Sequence, residues 1–228
     1  MNTPQHPAPY GPPAAEPYTV ALPTHGPARH SCLPLAIGAA AASLVWGAVL
    51  LLTGPSEVKA PEARGYEVSA NLCKDAAITE LGSLFTANGG EAATLKHKVI
   101  DRSECYRELE PKDTSMSSVS TSISFVVHKE TDPAPEVIAE AESAGYAPGS
   151  KATVKTIEGL GDHAFLVTTD LKNTRMVTLT AVDGGAEYSI RLTGSDLSTS
   201  DKSRLYSART LEPLLVKDAK ATLAKLKH

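Results

Sequence analysis

The chain has 228 residues, 42% of them hydrophobic and 21% charged, with three cysteines and a formal net charge of −4 at pH 7. Such a composition belongs to a globular chain of one or two domains; it excludes a wholly disordered protein, a disulfide-dense peptide and the basic surface that nucleic acid requires. Charge is unevenly placed, because residues 1–55 carry only Arg29 and Glu16 among the acidic, lysine and arginine side chains.

Residues 1–31 hold eight of the 16 prolines and show no apolar periodicity. A segment of this kind cannot bury enough surface to offset its ordering entropy, so a disordered Pro-rich tail is predicted. Pro4 to Pro7 and Pro9 to Pro12 have the P-x-x-P spacing that an aromatic groove can bind, and a solvated tail is the competing reading. Next comes "LPLAIGAAAASLVWGAVLLLTG", residues 33–54, with no charged side chain. About 20 apolar residues in a helix span the hydrocarbon layer of a membrane, and Pro34 in the first turn and the pair Gly54, Pro55 suit its two ends. The run is longer than the core of a secretion signal and Pro61 follows the small residue Ala60, so an uncleaved anchor is preferred to a cleaved signal.

Orientation draws on two unequal signals. Arg29 on one flank against Lys59 and Arg64 on the other does not favour an inside amino terminus. Cys73 and Cys105 both lie beyond the anchor, where an oxidising compartment would pair them in a disulfide; the alternative is two buried, unpaired thiols. On the cysteines, the amino terminus is placed in the cytoplasm and the carboxyl-terminal domain outside the plasma membrane. Cys32 precedes the apolar run and therefore does not fit the lipidated cysteine of a lipoprotein signal.

A linker is read at 55–68 and a folded domain at 69–228. Within the domain, Ala77, Ile78, Leu81, Leu84 and Phe85 recur at helical spacing, which predicts a helix over 73–90 closed by Asn88, Gly89 and Gly90. Strands are predicted at 97–109 and 117–129; in the second, Val119, Thr121, Ile123, Phe125 and Val127 alternate with serines and Val126. A second helix follows Asp132 and Pro133 and closes at Gly145, then strands at 152–158 and 163–171. Residues 175–194 read as a hairpin turning on Asp183, Gly184 and Gly185, with Val177, Leu179 and Ala181 alternating on its first arm, and the last 26 residues as a helix broken or kinked at Pro213 with Leu215, Ala219, Leu223 and Leu226 on one stripe. The predicted fold is α+β, a mostly antiparallel sheet with helices on one face, preceded by a single transmembrane helix.

Between the strands at 152–158 and 163–171 stands "EGLGDHAFL", whose Gly159, Gly161 and Ala164 match the G-x-G-x-x-A form of a dinucleotide cradle. That cradle needs a helix after it, since the helix amino terminus supplies the amides for the pyrophosphate. Here β-branched, alternating residues follow, so Gly159 and Gly161 are read as turn positions with positive φ and Asp162 as a local hydrogen-bonding partner. The sequence carries no nucleophile elbow, phosphate loop or zinc-binding His pair, and no catalytic, metal or cofactor residue is assigned.

A cysteine opening a helix ("LCKDAAITELG"), a second in a following strand ("SECYREL") and then "VKTIEGLGDHAFL" together resemble a family of actinobacterial membrane-anchored or lipoprotein-like envelope domains of unknown function. Cys73, Cys105, Gly159, Gly161, Asp162 and Ala164 carry the resemblance, which covers roughly residues 68–195. It implies an extracytoplasmic, disulfide-tied domain and no established reaction. The expected function is a single-pass envelope protein with an external binding or sensory domain, its partners being the membrane and an envelope ligand or protein, not nucleic acid. The alternative is an extracytoplasmic hydrolase or transferase whose site, around Asp162, His163 or His128, assembles only in three dimensions. A third reading makes the tail the working part, recruiting a cytoplasmic partner.

Overall fold

Alternating side chains lay down the sheet. The computed structural model describes residues 60–112, 119–144, 150–171, 174–195 and 207–228. The tail at 1–31, the apolar run at 33–54 and the helix-closing Gly145 fall outside the described residues. Glu57–His228 form one compact unit. Its elements are helix α1 (Leu72–Asp75), strands β1 (Phe85–Lys96), β2 (Ile100–Pro111) and β3 (Val119–His128), helix α2 (Ala134–Ser143), strands β4 (Lys151–Thr156), β5 (His163–Leu171), β6 (Thr174–Asp183) and β7 (Ala186–Ser195), and helix α3 (Ala208–Leu226). The strands make one seven-stranded sheet in the order β1-β2-β3-β7-β6-β5-β4, with every neighbouring pair antiparallel. The fold is α+β, and β3 and β7 join its two meanders.

Register puts the apolar set on one face. Phe125 lies opposite Ser103 and Tyr188, Ile123 opposite Cys105 and Ile190, and Leu179 opposite Ile190 and Leu166. All eight are buried. A slip of one residue would turn this set to solvent, which is why the alternation fixes the pairing. Helix α3 buries Leu211, Leu215, Ala219, Leu223 and Leu226, which join these sheet residues in one core. It runs unbroken through Pro213, so the expected break there does not occur.

Three expectations need correction. The helix predicted over 73–90 is only the four residues of α1, then a 3-10 turn at Leu81–Ser83, then β1. The amides that a continuous helix would satisfy internally are taken by α3 instead. Asp218 accepts from the backbone N–H groups of Glu80 (2.9 Å) and Leu81 (3.0 Å), and Thr222 Oγ1 accepts from Ala77 N–H (2.8 Å). Burial pushes the carboxyl of Asp218 upward in pKa, and the two amides oppose that shift. Ile78, Leu81 and Phe85 still face the core, so their spacing reported burial correctly and helix wrongly.

The helices do not share one face, which is the second correction. While α1 and α3 cover the apolar face, α2 packs on the opposite face, where Val137 and Ala141 meet Phe165, Val167 and Met176 around a cavity of about 440 Å³. These three sheet side chains make an apolar patch at that end, and the narrow buried stripe of α2 covers it. Third, the stretch read as linker is part of the fold from Ala60 onward. Tyr66 is buried, its ring centroid 5.8 Å from that of Phe125, and Glu67 N–H donates to Leu226 at 3.1 Å. Among the described residues no helix is long and apolar enough to cross a membrane.

Candidate functional site

The glycine turn lies between two strands, β4 and β5, and works as a joint. Gly159 and Gly161 have φ of 67° and 66°. Asp162 N–H donates to Val182 at 2.7 Å, and an Asp162 carboxylate oxygen accepts from Gly184 N–H at 3.0 Å, so the turn is stitched to the β6–β7 hairpin. The hairpin in turn holds the entry segment, through Gly185 N–H to Glu62 at 2.8 Å. Arg64 bridges Asp162 at 2.9 Å and also pairs with Asp183, which accepts from the Tyr66 hydroxyl at 2.8 Å. Lys227 adds a fourth contact, 3.5 Å from Asp183.

These charges satisfy one another. Arg64 beside Asp162, helped by the Gly184 amide, holds the Asp162 carboxyl below its usual range. Burial pushes Asp183 up, but the hydrogen bonds from Tyr66 and Arg64 outweigh it and leave the group low. Lys129 lowers Asp101 in the same way, and Ser69 followed by Lys225 lowers Asp75. A carboxyl whose pKa is lower in the folded state stabilises the fold above its unfolded value and loses that contribution as pH falls through the folded one. Asp218, shifted the other way, gains with falling pH and opposes the four. The urea midpoint is therefore expected to fall below about pH 4, with a shallower acid limb in an Asp183→Asn chain; equal limbs would contradict the clamp's role.

A groove of about 420 Å³ beside this clamp is lined by Arg64, Asp132, Asp162 and His163. Among the described residues no Ser, Thr or Cys lines it, and Asp162 is already engaged, so these residues bring no hydroxyl or thiol nucleophile to a free base there. His128 lies elsewhere, its Nε2 3.2 Å from Glu187. Among the described residues no group of three or more His, Cys, Asp or Glu side chains is placed to hold a metal ion.

The other face of the sheet is a different surface. Directly opposed residues form rows across the strands: Glu91, Tyr106, Ser122, Arg191, Thr178 and Val167 in one, and Ala93, Glu104, Ser124, Ser189, Thr180 and Phe165 in the next. A third row runs Glu108, Ser120, Thr193, Met176 and Thr169. None of these is buried, and hydroxyls recur at the strand spacing of about 4.8 Å. Tyr106, 51% exposed, stands in the middle of the β1–β2–β3 end beside a depression of about 720 Å³ floored by Gly89 and Gly90.

Charges on this face are mostly tied down within it. Arg102 lies 3.8 Å from Glu104, Arg191 Nε donates to Thr178 at 3.3 Å, and Ser120 donates to Glu108 at 3.2 Å. Among the described residues what remains is an array of hydroxyl donors and acceptors with the exposed ring of Tyr106, which can hold a hydrogen-bonding ligand and stack its flat part. Sequence reasoning assigned none of these residues. The serines of β3 were visible as the solvent side of an alternating strand, but only the register shows that Tyr106 and Arg191 flank Ser122 in one row. No family model, curated protein or solved structure matches the chain.

Proposed function

We propose that the chain is a single-pass protein of the cell envelope whose folded domain lies outside the plasma membrane and binds a ligand across the hydroxyl-lined face of its sheet. The observation that carries this reading is that face itself: three rows of unburied hydroxyls and an exposed Tyr106, covered among the described residues by α2 at one end. Tyr106, half exposed on β2 toward one end of the sheet, adds an aromatic ring beside the hydroxyls on which the flat part of a ligand can stack. The disulfide between Cys73 and Cys105 supports an oxidising location, and the charge-free run at 33–54 supports an anchor. The resemblance to actinobacterial envelope domains agrees with both.

Full-length protein in detergent, immobilised and exposed to separated polysaccharide and peptide fractions of envelope material, tests the ligand face. One fraction is expected to be retained by the native chain, with retention reduced at least tenfold by Ser122→Trp, which fills the middle row, and by Tyr106→Ala. Both substitutions are on an unburied face and should leave the thermal midpoint within about 2 °C. Retention unaltered by either substitution would remove the face from consideration.

A further inference from the structure

The two sulfurs of the disulfide sit in unlike surroundings. The bond joins α1 to β2, with the Cα atoms 5.0 Å apart. Cys105 is wholly buried in its strand, whereas Cys73 is only partly buried. Cys73 Sγ lies over the edge strand β1, 3.4 Å from the Glu91 carbonyl oxygen. Gly90 beneath it lets the sulfur pack directly on the strand backbone; a Cβ there would fall 2.7 Å from Cys73 Sγ.

Arg107, two residues beyond Cys105, reaches the buried sulfur. Its Nε and Nη2 are 3.3 and 3.2 Å from Cys105 Sγ, and Nη2 also donates to the Cys73 carbonyl. Among the described residues no carboxylate forms an ion pair with Arg107. Burial lowers its pKa, and a guanidinium remains a cation at neutral pH. A half-buried cation held against a disulfide sulfur does little for the oxidised bond, because that sulfur is neutral. It does much for a thiolate at the same position.

We infer that Cys73–Cys105 is a site of thiol–disulfide exchange, open to an external thiol at Cys73 and with Arg107 stabilising Cys105 as the leaving thiolate. The attacking thiolate forms a new S–S bond to Cys73 Sγ. The Cys73–Cys105 bond breaks, and its electron pair leaves on Cys105 Sγ beside the guanidinium. A second thiolate then attacks the external sulfur of the mixed disulfide and releases Cys73 as a thiolate. Two thiols are oxidised to one disulfide, the protein bond takes up two electrons, and the protons lost by the thiols are available to the two cysteines. Attack in the opposite sense is blocked by the burial of Cys105. The result frees α1 from β2, and it does not depend on the ligand face proposed above.

The test uses the full chain with Cys32→Ser throughout, so that only the pair is read. Native protein is exposed to glutathione, quenched with a maleimide and mapped by peptide mass spectrometry, and the rate of reduction by dithiothreitol is measured alongside. The first adduct is expected on Cys73, and reduction should outrun global unfolding at least tenfold. Arg107→Met should slow it by roughly three- to tenfold, since a leaving thiol of higher pKa departs more slowly, and Arg107→Lys should restore part of the rate. In a Cys73→Ala chain the thiolate absorbance of Cys105 is expected to titrate below the free-cysteine value of about 8.5, a readout that survives if Arg107→Met does not fold. An adduct first on Cys105, reduction only as fast as unfolding, or a Cys105 titration at or above the free value would overturn the inference.

Discussion

Replacing Gly161 by alanine is expected to destabilise the domain by about 3–4 kcal/mol, whereas the same change at Gly159 should cost about 1 kcal/mol. Both glycines have positive φ, so both alanines meet the intrinsic penalty of the left-handed region. They differ in what surrounds them. A Cβ on Gly161 would lie 2.3 Å from the Val182 carbonyl oxygen, a backbone atom that also accepts from Asp162 N–H. A Cβ on Gly159 would meet only Lys220 Nζ at 3.9 Å, an ordinary contact with a flexible side chain. Relief at Gly161 requires moving the turn away from β6, which breaks the stitch that holds Asp162, Gly184 and Arg64 in one cluster. For a domain of this size the loss corresponds to a fall in Tm of roughly 10 °C at Gly161 and 3 °C at Gly159. Similar small shifts at the two positions would show that the turn is free to move.

Removing the disulfide with Cys73→Ala and Cys105→Ala should lower the unfolding free energy by about 3–4 kcal/mol, as the chain-entropy model gives for a sequence separation of 32. The bond holds a helix of only four residues, α1, onto β2. So short a helix has little stability of its own. Leu72 in that helix is fully buried, so its loss from the core accompanies the opening. Gly90 supplies an internal control. Gly90→Ala presses against Cys73 Sγ and, at 3.0 Å, against the Tyr106 carbonyl oxygen, so its cost should shrink but not vanish once the sulfurs are gone. Urea denaturation of the four chains of this cycle measures both effects. A double alanine chain within 1 kcal/mol of native would mean that the packing of Leu72 and the contacts to α3 hold α1 without the bond.

Legibility in the sequence followed the range of the interactions. Where a strand has one buried face and a tight turn, as in Val177, Leu179, Ala181 and the Asp183–Gly185 turn, alternation located the hairpin and its partners together. The stripe Leu215, Ala219, Leu223 and Leu226 likewise marked the buried side of α3. Residues 73–90 misled because burial at helical spacing arises here from an irregular segment whose amides are satisfied by Asp218 and Thr222, more than 130 positions away. The edge strand β1 had no alternation to read, since it is exposed over all but its first residue. Gly159, Gly161 and Asp162 could be recognised as a turn from the strand that follows them, but Arg64 and Tyr66, which complete the clamp, stood in a stretch that composition marked as linker. The face proposed to bind a ligand was the least legible part. Tyr106, Ser122 and Arg191 lie on three strands, and no local pattern in any one strand says that they meet.

The proposed external position of the folded domain is tested most directly by fusing paired reporters to the carboxyl terminus after His228, one active only outside the cytoplasm and one only within it. The expected result is activity of the external reporter alone, with loss of that activity when residues 33–54 are deleted. Activity of the internal reporter alone would place the sheet and its hydroxyl face in the cytoplasm and contradict the proposed function.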